Sequence, residues 1–328
     1  MNSSIDIRAL NEQIGIESGF LDELTAGMGR TIVGQKHLVD SLLVGLLSGG
    51  HILLEGVPGL AKTLAIKTLA ALVDAQFSRV QFTPDVMPSD VTGFSIFNQQ
   101  SNQFEFRPGG VMSNLVLADE INRANAKTQS ALLEAMEERQ VTVDSVTHKL
   151  QEPFMVLATQ NPIEQHGTYP LPEAQLDRFL IKISMGYPLL DEEVRVVLDT
   201  KAAKAAIRPV ASAQDVLKLR QAAESVYIDE QLARYAVQIC AATRTAKECA
   251  CGASPRGSIA LVSIARANAL MRGRSYVIPD DIKYLAPYVL SHRIILTHEA
   301  KIDGLDPRAV IKRIVESIAL PQTGLERA

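Results

Sequence analysis

Cysteine is scarce in this 328-residue chain: three residues, Cys240, Cys249 and Cys251, all in its C-terminal third. An odd number cannot close an even disulfide framework. The cluster also lacks the four-ligand spacing of a zinc site and has no neighbouring histidine, so reduced thiols in a reducing cytosol are expected. An excess of positive charge is likewise missing, since Lys+Arg 33 against Asp+Glu 37 gives a net charge of −4. No global field therefore exists to hold nucleic acid non-specifically, which leaves only a local basic patch for that purpose. Long apolar runs are absent too. Stretches such as Leu42–Leu47 fall far short of the roughly 20 residues that span a bilayer, so no membrane insertion is expected. The start, Met1-Asn2-Ser3-Ser4-Ile5-Asp6, shows no basic region followed by an apolar one, so no secretory signal is expected either. Internal repeats and low-complexity tracts are not found. These absences predict a soluble, cytoplasmic protein.

What is present is the composition of a packed chain, 47% hydrophobic and 21% charged, long enough for about two domains. Residues 1–30 carry apolar positions at helical spacing around Leu10, Ile14, Phe20 and Leu24, which predicts an N-terminal helical segment. From 31 to 186 short apolar runs alternate with amphipathic segments. The runs are His51–Leu54, Arg79–Phe82, Leu115–Ala118 and Phe154–Ala158. Runs of this kind suit strands buried on both faces, and helices between them imply an α/β layer fold around a parallel sheet. After Gly186-Tyr187-Pro188 the strand signals stop, and Ala- and Leu-rich stretches predict an all-helical domain over 187–328.

The first run leads into Gly56-Val57-Pro58-Gly59-Leu60-Ala61-Lys62-Thr63 and then an amphipathic helix, Leu64–Leu72. Strand, Gly-rich turn, Lys-Thr and helix together form the context of a phosphate loop. Glycines at 56 and 59 let backbone N–H groups approach phosphate oxygens. Lys62 supplies a point charge for the β- and γ-phosphates, Thr63 a hydroxyl for Mg²⁺, and the helix start its dipole and unpaired donors. The general pattern has glycine just before the lysine, where this chain has Ala61; alanine is tolerable there if the position keeps helical dihedrals, because the penalty arises only at positive φ. The third run delivers Asp119-Glu120 to the C-terminal edge of the sheet, where ligands bind in open α/β folds. Asp119 suits Mg²⁺ through its water shell, and Glu120 suits polarisation of the attacking water. Asn161, closing the fourth run, is placed to orient that water and touch the γ-phosphate.

Together these blocks resemble the AAA+ ATPases, specifically the MoxR family close to the magnesium-chelatase ATPase subunits. The resemblance runs over nearly the whole chain. It rests on Thr31-Ile32-Val33-Gly34-Gln35, the phosphate loop with its Ala61, Ala118-Asp119-Glu120-Ile121-Asn122-Arg123-Ala124, Ala158-Thr159-Gln160-Asn161-Pro162, Leu176-Asp177-Arg178-Phe179 and Gly252-Ala253-Ser254-Pro255-Arg256. It implies a P-loop AAA+ core with helices on both faces of the sheet and a small helical lid, binding ATP or ADP with Mg²⁺. It also implies roles that spacing alone does not assign. Arg178 matches the arginine finger that reaches a neighbour's nucleotide, and Arg256 matches the second sensor on the lid. Val33, Gly34 and Gln35 match the segment beside adenine. Ser254 and Pro255 independently suit a helix start just before Arg256.

Two further segments alternate about polar turns and predict hairpins. One runs from Thr92–Phe97 through Asn98–Asn102 to Phe104-Glu105-Phe106; the other from Val141–Val143 through Asp144-Ser145 to His148–Leu150. They resemble the helix-2 insert and the hairpin before the first sensor in this group, where such hairpins contact partners. Glu134, Glu137, Glu138 and Arg139 read as a solvated helix face, His148 and His166 as polar loop groups, and Arg272-Gly273-Arg274 as a basic spot too short for nucleic acid. The function implied is an ATPase assembled as a homo-oligomeric, hexameric ring that remodels or matures protein clients, with von Willebrand A domain proteins as the family's partners. The alternative is an AAA+ motor acting on DNA, against which stand the acidic balance and the uncharged tip at Asn98–Gln103. An enhancer-type activator would need a Gly-Ala-Phe-Thr-Gly-Ala loop, which the chain lacks. A nucleotide switch without turnover would not need Lys62, Asp119, Glu120, Asn161 and Arg178 together.

Overall fold

Apolar runs with no polar alternation require burial on both faces, and a central parallel sheet provides it. The computed structural model describes residues 19–57, 59–161, 167–198 and 207–321. Residues 1–18 of the expected N-terminal segment, Pro58, Pro162 and His166 lie outside the described residues. In chain order the strands are β1 (Ile52–Glu55), β2 (Phe77–Gln81), β3 (Gly93–Asn98), β4 (Gln103–Pro108), β5 (Leu115–Asp119), β6 (Gln140–Val143), β7 (Val146–Lys149), β8 (Met155–Gln160), β9 (Ile181–Ser184), β10 (Cys249–Cys251) and β11 (Ile295–Leu296). The main sheet has five strands in the order β2-β5-β8-β1-β9. Its pairs β1–β8, β2–β5 and β5–β8 are parallel. Helices flank it, among them Lys36–Leu47, Lys62–Leu72 and Ala126–Glu138.

Burial follows position in the sheet. The interior strands β5 and β8 bury every residue but the last, and β1 does the same. Arg79–Phe82, grouped above with the doubly buried runs, behaves differently. Strand β2 ends the sheet, and its residues are only partly buried or exposed. An edge strand has one neighbour, so Arg79 and Gln81 keep polar side chains there without a desolvation cost.

His51 fastens the start of β1. Its Nδ1 accepts the Val156 N–H (3.0 Å), so Nε2 carries the proton and donates to the Met136 carbonyl (3.1 Å). The ring meets Phe154 edge-on at 5.5 Å. A buried imidazole satisfied on both nitrogens thus ties β1, β8 and the helix Ala126–Glu138 together.

Both predicted hairpins form. Strands β3 and β4 pair antiparallel from Gly93↔Pro108 to Asn98↔Gln103. Strands β6 and β7 turn through Asp144 and Ser145 at φ 48° and 65°, the double positive φ of a type I′ turn. Phe106 of β4 stacks on His148 of β7 at 3.8 Å, joining the two hairpins. Beyond that joint Phe97 packs edge-on against Phe104 at 5.3 Å, and both rings, with Phe94 and Ile96, face solvent.

The chain divides into two compact units, one built mainly from Glu23–Phe179 with Ile183–Leu217, the other mainly from Lys218 onward. The second is helical, with Glu230–Thr245, Pro255–Met271, Pro279–Leu290 and Pro307–Ser317 as its longer helices. One addition to the all-helical expectation is the antiparallel ribbon of β10 and β11, two elements too short to carry a period. Buried Asp281 organises this unit by accepting from Asn268 (2.7 Å), from both terminal nitrogens of Arg274 (2.7 and 2.9 Å) and from the Ile278 N–H (2.9 Å). The three cysteines are free thiols. Among the described residues no helix is long and apolar enough to cross a membrane.

Replacing His51 by leucine keeps the volume but strands the Val156 N–H and the Met136 carbonyl in the core. Urea unfolding is expected to show a loss of about 3 kcal/mol, the cost of two buried unpaired groups.

Candidate active site

Parallel register sets the C-terminal ends of four strands side by side, with Gln81 opposite Asp119 and Leu54 opposite Thr159. The loop leaving β1 is pinned at once, because the Gly56 N–H donates to the Gln160 carbonyl at 3.2 Å. Gly59 has φ +88°, and a Cβ built there would meet nothing within 4 Å. The glycine is therefore required by its dihedral, and the open space above it leaves the loop's backbone accessible. Ala61 overturns the condition set out for it above: its dihedrals, φ 55° and ψ 19°, are left-handed rather than helical. The chain thus carries a side chain in a conformation that glycine would adopt freely, at a cost of about 1–2 kcal/mol. The helix Lys62–Leu72 follows directly and has no side-chain cap, so its first N–H groups are left for an anion.

These elements enclose a cavity of about 450 Å³. The loop contributes Gly56, Gly59, Leu60, Ala61, Lys62, Thr63 and Leu64. Asp119 and Glu120 come from the end of β5, and Asn161 from just beyond β8. Arg79 and Gln81 of β2 complete the lining. Val57 does not line it. Lys62 lies back over the loop with Nζ donating to the Gly56 carbonyl at 2.6 Å. Burial holds its pKa below the ordinary lysine value, while Asp119 and Glu120 pull it the other way. A partly desolvated ammonium facing an open cavity is poised to gain from phosphate oxygens.

The two carboxylates are held differently. Asp119 Oδ1 accepts the Thr159 hydroxyl at 2.6 Å, and Oδ2 accepts Arg79 through a terminal nitrogen (2.6 Å) and Nε (3.2 Å). Thr159 Oγ1 also accepts the Glu120 N–H at 2.8 Å. Glu120 is left-handed, φ 57° and ψ 49°, and its Oε2 accepts from Gln81 (3.1 Å) and Arg123 (3.0 Å). One threonine thus sets the backbone of one carboxylate and the side chain of the other. The donors available to a metal are hard oxygens, the Thr63 hydroxyl and Asp119. Among the described residues no group of three or more His, Cys, Asp or Glu could hold an ion unaided. That donor set fits a cation that keeps most of its waters and takes the rest of its shell from phosphates, as Mg²⁺ does.

The other expected residues lie elsewhere. Val33, Gly34 and Gln35 do not line this cavity. Gly34 has φ +73°, and a Cβ there would sit 2.6 Å from Glu192 Oε2, so both dihedral and space demand glycine beside the helix Leu190–Leu198. Arg178 follows the short helix Glu173–Leu176 and pairs with Glu137 at 2.9 Å. Glu137 is therefore both an exposed residue of its helix face, as expected, and the ion-pair partner of the expected finger. Arg256 occupies the first turn of the helix Pro255–Met271, where Ser254 Oγ accepts its N–H at 3.2 Å, the predicted cap. Sequence reasoning missed Arg79, Gln81 and Thr159 as lining or holding residues. The alternation Arg79-Val80-Gln81-Phe82 was the available signal, since i and i+2 share a strand face.

Ala61→Gly removes the left-handed penalty and returns part of it as backbone entropy. Thermal unfolding is expected to show a net gain of about 1 kcal/mol with nucleotide affinity kept; a loss of stability would show that the alanine methyl makes compensating contacts.

Comparison with known proteins is consistent with this geometry. Residues 51–181 match the ATPase family associated with various cellular activities (AAA), and residues 241–314 match the AAA lid domain. An uncharacterised protein of Bacillus subtilis, YeaC, is 50% identical over 90% of this chain and 92% of its own length. Chaperone MoxR1 of Mycobacterium tuberculosis is 46% identical over 95% of this chain and 85% of its own. A crystal structure described as that of a candidate ATPase from Cytophaga hutchinsonii superposes with a TM-score of 0.90 at 43% identity, covering 97% of this chain and all (100%) of that one. The fold, the converging phosphate-loop and carboxylate residues and these relatives have one reading: the chain belongs to the MoxR family of AAA+ ATPases.

Proposed function

We propose that the protein hydrolyses ATP with Mg²⁺ in sites shared between subunits of a hexameric ring, and uses the cycle to remodel or mature client proteins. The observation that carries the reading is the convergence of Lys62, Thr63, Asp119, Glu120 and Asn161 on one cavity at the C-terminal edge of the sheet. The bound cation would neutralise charge on the β- and γ-phosphates. Thr63 and Asp119 would hold it, the latter through water. Lys62 exchanges the Gly56 carbonyl for phosphate oxygens. Glu120 polarises the attacking water, and Asn161 orients it toward the γ-phosphate. Arg178 serves a neighbour's site, leaving Glu137 to balance charge in the transition state, and Arg256 serves as the second sensor of the γ-phosphate, in its own subunit or a neighbour's. Val33, Gly34 and Gln35 flank the adenine.

A client-remodelling role is supported by the chaperone name of the mycobacterial relative and by the hairpins. The exposed large apolar side chains of β3 and β4 are Phe94, Ile96, Phe97 and Phe104, and Arg107 is the one basic residue of the two strands, which suits protein contact over the DNA alternative. Proteins with von Willebrand A domains are the partner class that the family suggests.

Steady-state turnover measured across protein concentration, with mass followed by light scattering, tests the shared site. Specific activity should rise with assembly. Glu120→Gln and Arg178→Ala should each lose roughly 10³-fold in turnover while still binding nucleotide. Mixed together, the two variants should recover part of the activity, because one supplies an intact finger and the other an intact base. Activity independent of concentration, with no recovery on mixing, would sink the shared site.

A further inference from the structure

Arg79 has no role in the chemistry above, yet its guanidinium lies on the carboxylate proposed to hold the cation. Nε and a terminal nitrogen both donate to Asp119 Oδ2, at 3.2 and 2.6 Å, while Oδ1 takes the Thr159 hydroxyl at 2.6 Å. A carboxylate offers about four lone-pair positions. Two are committed to Arg79 and one to Thr159, so little of Asp119 is left for the waters of a hydrated dication.

The two partners differ in kind. The Thr159 hydroxyl is neutral and also accepts the Glu120 N–H, which makes it a fixed brace. Arg79 is a full positive charge that donates to a carboxylate oxygen, Oδ2, as the water of a hydrated cation would donate to this carboxylate. Its terminal nitrogen also donates to Gln81 Oε1 at 2.5 Å, but it stands on the edge strand with its side chain 47% exposed, so swinging toward solvent gives up surface contacts without opening the core.

We propose that Arg79 is a resident counter-cation that competes with the divalent metal for Asp119. Arg79 neutralises the carboxylate in the absence of metal, and it must leave Asp119 for a divalent ion to be held there. Its presence weakens metal binding, and the pocket keeps little affinity for the ion without phosphates to share it. The inference rests on the Mg²⁺-dependent reading proposed above.

The test uses the full-length protein loaded with ADP and titrated with Mn²⁺, the free ion being read by electron paramagnetic resonance and Mg²⁺ confirming the site by competition. Arg79→Gln should tighten the apparent Mn²⁺ Kd by about fivefold, the scale of one half-exposed charge pair. Arg79→Lys, which keeps the charge but loses the fork, should fall between Arg79→Gln and the wild type. Asp119→Asn must weaken metal binding in every case. If Arg79→Gln leaves the Kd unchanged or weakens it while Asp119→Asn weakens it, the competition is wrong and the metal site stands. If Asp119→Asn binds Mn²⁺ as tightly as the wild type, the metal reading itself fails and takes the competition with it. Thermal unfolding of each variant shows that the comparison is between folded proteins.

Discussion

Everything at the candidate site depends on the parallel register of β5 with its two neighbours. Pairing Gln81 with Asp119 on one side, and Ala118 with Ala158 on the other, fixes which residues emerge together at the sheet's C-terminal edge. A slip of one residue would send Asp119 to the opposite face and separate it from both Thr159 and Arg79. The register is protected by burial: Val116, Ala118, Val156 and Ala158 belong to one core cluster with Leu132, Phe154 and Phe179. Core packing far from the phosphate loop therefore sets the carboxylate geometry beside it.

On that fixed edge the cavity carries charge and strain in compensating pairs. Lys62 and Arg79 face Asp119 and Glu120, so among the described residues no side chain lining the cavity is left as an uncompensated charge. Two residues that flank it, Ala61 and Glu120, hold left-handed dihedrals without being glycine. Such conformations persist only where surrounding structure over-determines them. For Glu120 the surrounding contacts are visible: Thr159 holds its N–H, and Gln81 and Arg123 hold its carboxylate. For Ala61 the restraint comes from the helix, whose first backbone bond, Ala65 N–H to the Ala61 carbonyl, is 2.9 Å.

The parts of this arrangement that were legible in the sequence are those encoded by local pattern. Apolar runs ending in polar residues located β1, β5 and β8, the loop glycines and Lys62-Thr63 located the loop that lines the cavity, and alternation about polar turns located both hairpins. What was not legible depends on neighbours distant in the chain. Arg79 and Gln81 line the cavity only because β2 lies beside β5, 40 and 39 residues away from the partners they touch. Glu137 matters because the chain brings Arg178 to it. The conformation of Ala61 could not be read from composition, since alanine ordinarily signals a right-handed helix and here the loop overrides that preference.

The hairpins show the same division between pattern and placement. Their existence follows from alternation, but alternation alone would place the outer aromatic residues of β3 and β4 on any covered surface. Phe106 is spent on stacking with His148, while Phe97 and Phe104 on the same face, and Phe94 and Ile96 on the opposite face, stay exposed on the joined base. Exposed aromatic surface carries a solubility cost and is not explained by the hairpin's own pairing, which backbone hydrogen bonds and the Asn98 to Glu105 contact already secure. Arg107, opposite Phe94, is the one basic residue of the two strands, so the chemistry of these faces suits apolar protein segments better than phosphate backbones.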